Sequence, residues 1–131
     1  MATRQIPYFQ QENIQQDISA KETAGKVRKS TSPCAFLIIV VRKKDGTARI
    51  WVDFRRLNDV TKNDAHPVPR INDIFDALRG AKYFSTLDLA SGYHQVFVDK
   101  SDKEKTGFVT PWGHYEYTVM PFKLCNAPAI F

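Results

Sequence analysis

A chain of 131 residues holds one domain or part of one, and its 43% hydrophobic and 12% aromatic content builds a core and is too apolar for a disordered tract. No apolar run approaches the length of a membrane span, the longest being the strand-length 35–41, and no apolar segment near Met1 marks a secretory signal. The formal net charge of +5 gathers in residues 41–58, with six bases and two acids, which points either to an anionic partner such as nucleic acid or nucleotide or to a solvated hairpin face.

In chain order, residues 1–9 read as an irregular arm. The polar run 10–24 has Ile14 and Ile18 four apart, which predicts a short helix with a narrow apolar stripe, ended by Gly25. After a basic segment and the Ser-Thr-Ser-Pro turn at 30–33, the branched run 35–41 predicts a buried strand. Asp45-Gly46 is a tight-turn signal, and 48–54 returns as the partner strand. Residues 55–58 read as a loop, and His66-Pro67-Val68-Pro69 forbids helix. Ile71, Ile74, Phe75 and Leu78 then fall on one face of a helix over 71–79, with Gly80 past its end.

The alternation of Tyr83, Ser85 and Leu87 with Phe84, Thr86 and Asp88 predicts a strand that ends on a carboxylate. Ser91-Gly92 turns the chain, and 93–98 runs back as a second β-rich segment. A carboxylate at the end of a buried strand is costly unless a cation or hydrogen bonds offset it. Asp88 therefore reads either as a ligand for magnesium, which prefers oxygen, or as a turn residue capped by its own backbone. Beyond a charged connector at 99–104, segments 105–110 and 114–120 form a further hairpin around Pro111-Trp112-Gly113. Asn126 caps a short helix over 126–131, with Pro128 in its first turn. A single turn does not repay helix nucleation, so the sequence reads as cut inside an element, and self-association through an exposed apolar patch is expected. Cys34 and Cys125 stand far apart in no metal-ligand spacing. With no signal segment, they fit an intracellular (cytoplasmic or nuclear) protein without a disulfide.

Four ordered segments then stand out: STSPCAFLIIVVRKKDG, RIWVDFRRLNDVT, HPVPRINDIFDALRGAKYFSTLDLASGYHQV and KTGFVTPWGHYEYTVMPFKLCNAPAIF. Together, from about residue 6 to 131, they resemble the reverse transcriptases of gypsy-type long-terminal-repeat retrotransposons. The resemblance implies an α+β fold, a fragment of a right-hand polymerase with a fingers hairpin and an incomplete antiparallel palm sheet with flanking helices. Residues 1–82 would be the arm, fingers and connecting helix, and 83–131 the first part of the palm with a truncated final helix.

The resemblance also implies roles. Lys43 or Lys44 and Arg49 would face the triphosphate of an incoming nucleotide, as cationic donors suit phosphate. Asp88 matches the first metal-binding aspartate, with the backbone carbonyl of Leu89 as a further ligand. Tyr93 matches the aromatic residue that rejects a ribonucleotide's 2′-hydroxyl by bulk; core packing is its other reading. Gln95, Phe122, Asn126 and Pro128 match the region at the template and nascent base pair. Asp53, Arg55 and Asn58 match the family's VDFRxLN segment, in which structural roles compete with contact to template–primer.

The activity implied is RNA-directed DNA synthesis by two metal ions, Mg2+ or Mn2+, on a template–primer of RNA and DNA with a deoxynucleoside triphosphate. It needs a second carboxylate site, which the family carries as a tyrosine-x-aspartate-aspartate hairpin, and no Asp-Asp pair occurs in this chain. The expectation is a chain inactive alone that works with the remainder of Pol (palm, thumb, RNase H), away from membranes. Departures from the family pattern are Lys123 where Gly is usual, Gly107 where Ala is common, and a missing second proline after Ser32-Pro33. A non-catalytic remnant that binds nucleic acid is the alternative. A small α+β protein unrelated to polymerases would require four ordered matches by accident.

Overall fold

Asp45 and Gly46 close a tight turn, Gly46 taking the left-handed backbone (φ 83°) that a side chain disfavours. In the computed structural model, which describes residues 6–131, strands β2 (Phe36–Arg42) and β3 (Ala48–Val52) run antiparallel on either side of it. Their alternation is the expected one: Ile38, Ile50 and Val52 are buried, whereas Arg49 and Trp51 lie on the opposite face.

Around this hairpin stands a five-stranded sheet. Strand β1 (Val27–Lys29) pairs antiparallel with β5 (Gly113–Tyr117), β5 with β4 (Phe108–Thr110), and β4 runs parallel to β2, for a spatial order β1-β5-β4-β2-β3. Helix α1 (Tyr8–Thr23) lies against β3 and β1. Its stripe works as predicted: Ile14 and Ile18 are 1% and 4% exposed. Burial of such side chains contributes about 1.5–3 kcal/mol each. The helix begins two residues before the predicted start, at Tyr8 after Pro7, a residue pre-set for helix entry. The arm expected at 1–9 is thus helical at its end, and residues 1–5 lie outside the described part. Ile14, Ile18, Val27, Ile50, Val52, Phe54, Phe108 and Tyr117 join in one core.

Several sequence expectations are corrected. The loop expected at 55–58 is helix α2 (Arg55–Val60). The strand expected at 83–88 is irregular and exposed (Tyr83 94%, Leu87 92%), because none of the described residues lends it a neighbouring strand. A ladder needs a partner, and alternation alone does not supply one. The returning segment 93–98 opens as a 3-10 turn (Gly92–Gln95) and pairs only through an isolated bridge of Phe97 with Val119. Lys105 and Thr106 belong to a second 3-10 turn (Lys103–Thr106), so β4 starts later than expected. Helix α3 (Ile71–Ala77) forms, but Ile71, Ile74, Phe75 and Leu78 on its apolar stripe are 70%, 47%, 64% and 44% exposed. Helix α4 (Ala127–Ile130) is a single turn.

Candidate nucleotide and nucleic-acid site

Two cavities meet at one side chain. The first, about 450 Å³, is lined by Lys43 and Arg49 of the hairpin, Trp51, His94, Phe122 and the Asp17–Lys21 ion pair of α1 (3.0 Å). The second, about 340 Å³, is lined by Asp88, Leu89, Gly92, Tyr93, Phe122 and Phe131. Phe122 forms a wall of both. Lys43 and Arg49 thus line one of two cavities that share the Phe122 side chain, and Asp88 lines the other.

That ring is fixed by others. Trp51 meets Phe122 edge-on at 5.7 Å between centroids, Tyr93 lies 5.2 Å from Phe122, and Phe131 lies 5.4 Å from Tyr93. A continuous row therefore runs from β3 to the loop that carries Asp88. Ser91 (φ 49°) and Lys123 (φ 73°) are the non-glycine residues of positive φ among those described. One precedes the turn bearing Tyr93, and the other follows Phe122. Left-handed backbone costs an ordinary residue about 1–2 kcal/mol, and such strain concentrates at functional sites.

Other predicted site residues take internal roles. Asp53 accepts two hydrogen bonds from the Arg55 guanidinium (2.8 and 2.6 Å), so these two engage each other at the foot of the hairpin. Asn58 donates to the Lys123 carbonyl (2.8 Å) and accepts from the Cys125 amide (2.9 Å). Asn126 makes no side-chain cap for α4. It donates instead to the Lys62 carbonyl and accepts from the Asp64 amide, both at 2.9 Å. The two asparagines clasp segments 58–64 and 123–126 together. Gln95 donates to the Ala90 carbonyl (2.9 Å) and so braces the Asp88 loop from within. Lys44 and Pro128 are exposed and line neither cavity.

Sequence reasoning missed His94 and Trp51. Trp51 carried a signal, since it alternates with buried Ile50 and Val52 and so shares a face with Arg49. His94 carried none. Its ring packs 5.1 Å from Phe122 and 6.4 Å from Tyr117, and Nδ1 is buried without a hydrogen-bond partner among the described residues. Burial, followed by the positive charges of Lys26 and Lys21, lowers its pKa, and Asp17 opposes them. His94 is therefore neutral at pH 7.

Residues 41–131 match the family described as "Reverse transcriptase (RNA-dependent DNA polymerase)". The chain belongs to the reverse transcriptase family. It is 39% identical over 136 residues to the retrovirus-related Pol polyprotein of transposon 297 from Drosophila melanogaster, an alignment covering 98% of this chain and 13% of that protein. It is 48% identical to the Pol polyprotein of transposon opus and 44% to that of gypsy, both from the same fly, each over 82% of this chain and 11% of the relative. Among solved structures, the native Prototype Foamy Virus protease-reverse transcriptase superposes with a TM-score of 0.88 at 25% identity, covering all of this chain and 18% of that one. A foamy viral protease-reverse transcriptase solved with double-stranded DNA gives 0.87 at 27% identity, over all of this chain and 23% of its own. The sequence is that of a segment of a retrotransposon Pol reverse transcriptase domain, spanning 11–13% of the length of these curated relatives.

Within this reverse transcriptase segment, the residues present do not make a metal site by themselves. Asp88 is the one carboxylate lining its cavity, and among the described residues no group of three or more His, Cys, Asp or Glu side chains gathers to hold an ion. The family implies dependence on a divalent metal. No helix among the described residues is long and apolar enough to cross a membrane.

Proposed function

We propose that the chain supplies the fingers and the first part of the palm to an RNA-directed DNA polymerase of the retrotransposon type. In this reading it binds nucleotide and template–primer but does not extend a primer alone. The observation that carries the reading is the shared Phe122 wall. In one cavity Lys43 and Arg49 offer cationic donors for a triphosphate; in the other Asp88, Leu89 and Tyr93 frame a small space for a sugar and its reacting end. Asp88 is a single carboxylate, so Mg2+ or Mn2+ would require further acidic ligands from the remainder of Pol, and with them the palm, thumb and RNase H portions. The exposed segment 83–89, with strand-like alternation and no neighbour, is where such a palm strand would add.

The test is primer extension on an RNA template with Mg2+, using the chain alone and together with a separate polypeptide carrying the Asp-Asp hairpin and thumb. Extension only in the mixture, lost with Asp88→Asn, is the expected result. Extension by the chain alone would overturn the argument from one carboxylate. A second reading, a non-catalytic nucleic-acid binder, is favoured by the solitary Asp88; binding to template–primer with no extension in either arrangement would select it.

A further inference from the structure

Lys123 departs from the small residue that its backbone conformation favours, and its side chain is placed with care. Its φ of 73° is left-handed, a region in which glycine carries no penalty and lysine does. The side chain places Nζ 5.2 Å from the centre of the Trp51 ring. A cation over an indole face is attracted by the ring's quadrupole. Asn58 fixes the other end of the residue by donating to its carbonyl (2.8 Å). Among the described residues, Nζ makes no ion pair and no hydrogen bond, so its three N–H donors remain for an acceptor. Arg49 stands two residues from Trp51 on the same strand face and adds a second positive charge along that row. Lys123 lies on the open surface, outside both cavities.

From this placement we infer that Lys123, seated on Trp51, is a phosphate-binding residue for a single nucleic-acid strand that crosses the outer face of the fingers hairpin. Phosphate oxygens are the shared chemistry of a polynucleotide backbone and a free nucleoside triphosphate. The open position favours the backbone, which runs over a surface, whereas the triphosphate cations Lys43 and Arg49 line a cavity. An ammonium held against an aromatic face, without a carboxylate partner, is a preset contact for a polyanion beside a ring on which a base can stack. The inference rests on the proposed nucleic-acid role of this hairpin and extends it to a residue specific to this chain.

The experiment titrates a fluorescent single-stranded oligothymidylate into the full 131-residue chain at several salt concentrations, read by anisotropy, for wild type, Lys123→Gly and Lys123→Arg. A parallel arm titrates thymidine triphosphate. Loss of one phosphate contact makes the slope of log K against log salt shallower by about 0.7 and weakens binding roughly fivefold at 0.1 M salt. That change in Lys123→Gly, recovery of the slope in Lys123→Arg, and triphosphate binding that does not depend on residue 123 are expected. Because glycine relieves the left-handed backbone, Lys123→Gly should melt at or above the wild-type temperature, which separates lost contact from lost fold. An unchanged slope in Lys123→Gly, with wild type binding the strand, overturns this inference alone. Equal loss for strand and triphosphate overturns the assignment to a strand. Absence of strand binding by wild type overturns the nucleic-acid reading of the hairpin together with it.

Discussion

The carbonyl oxygen of Cys34 occupies the space that a side chain on Gly107 would need. The same methyl would also come within 3.0 Å of the Ser32 hydroxyl and the His114 ring. The Cys34 carbonyl is held in place by His114 Nε2 at 2.7 Å, so it is not free to retreat. This contact ties the turn before β2 to the start of β4, next to the parallel pairing of Phe36 with Phe108. Gly107→Ala should therefore destabilise the chain by about 1–3 kcal/mol, the usual cost of forcing atoms into a filled space. Urea unfolding of the variant and wild type measures it; equal midpoints would show that the segment yields.

Glu116 predicts an acid limit to stability. It is 5% exposed, and burial by itself would raise its pKa. The hydrogen bonds from the Ser30 hydroxyl and Arg28 guanidinium, each 2.7 Å, outweigh burial and hold the carboxyl below its ordinary value of 4.5. The unfolded chain then binds the proton more readily than the folded one. Stability from this group is full above pH 4.5 and is lost as pH falls from there through the lowered folded value. Glu116→Gln should cost about 1–2 kcal/mol at neutral pH and flatten that limb of the stability–pH curve. Melts between pH 3 and 7, roughly spanning the carboxylate range, decide it.

The elements that could be read from the sequence were those whose determinants lie within one turn or one hairpin. Ile14 and Ile18 mark the buried side of α1, and Asp45-Gly46 fixes the register of β2 with β3. Segment 83–88 has equally good alternation, yet it forms no strand, because pairing depends on residues elsewhere in the chain. At the site, Asp88, Tyr93 and Phe122 were singled out and do converge, as do Lys43 and Arg49. What residue type alone hid was direction. Asn58, for which a structural role was one of two readings, and Asn126, matched to the template region, hydrogen-bond to partners more than 60 positions away.

Those hydrogen bonds make the clasp itself testable. Asn126→Ala leaves the Lys62 carbonyl and Asp64 amide without their partner, at about 1–3 kcal/mol for two lost hydrogen bonds in a partly exposed place. The salt slope of nucleic-acid binding should stay that of wild type, since no phosphate contact is removed. A lower melting temperature with an unchanged slope fits the clasp. A changed slope would restore Asn126 to the binding surface.

His94 supplies a second pH dependence, nearer neutrality. Its folded pKa lies below 6.5, through burial first and then the charges of Lys26 and Lys21, with Asp17 opposing. The unfolded chain gains a proton as pH drops below 6.5 while the folded chain resists it. The melting temperature should accordingly be steady above that pH and decline below it. In His94→Phe, which keeps a ring against Phe122 and Tyr117, this part of the decline should vanish. Matching curves for the two proteins would place the proton elsewhere.

The ring-to-ring row of Trp51, Phe122, Tyr93 and Phe131 behaves as a strut. Close-packed side chains compress little and pass a load on to the next in line. A swing of the fingers hairpin about its base would therefore be felt at Tyr93, beside the loop of Asp88, by way of Phe122. Shortening Trp51 would remove the contact on Phe122 at the far end of that row without touching a single atom of the loop.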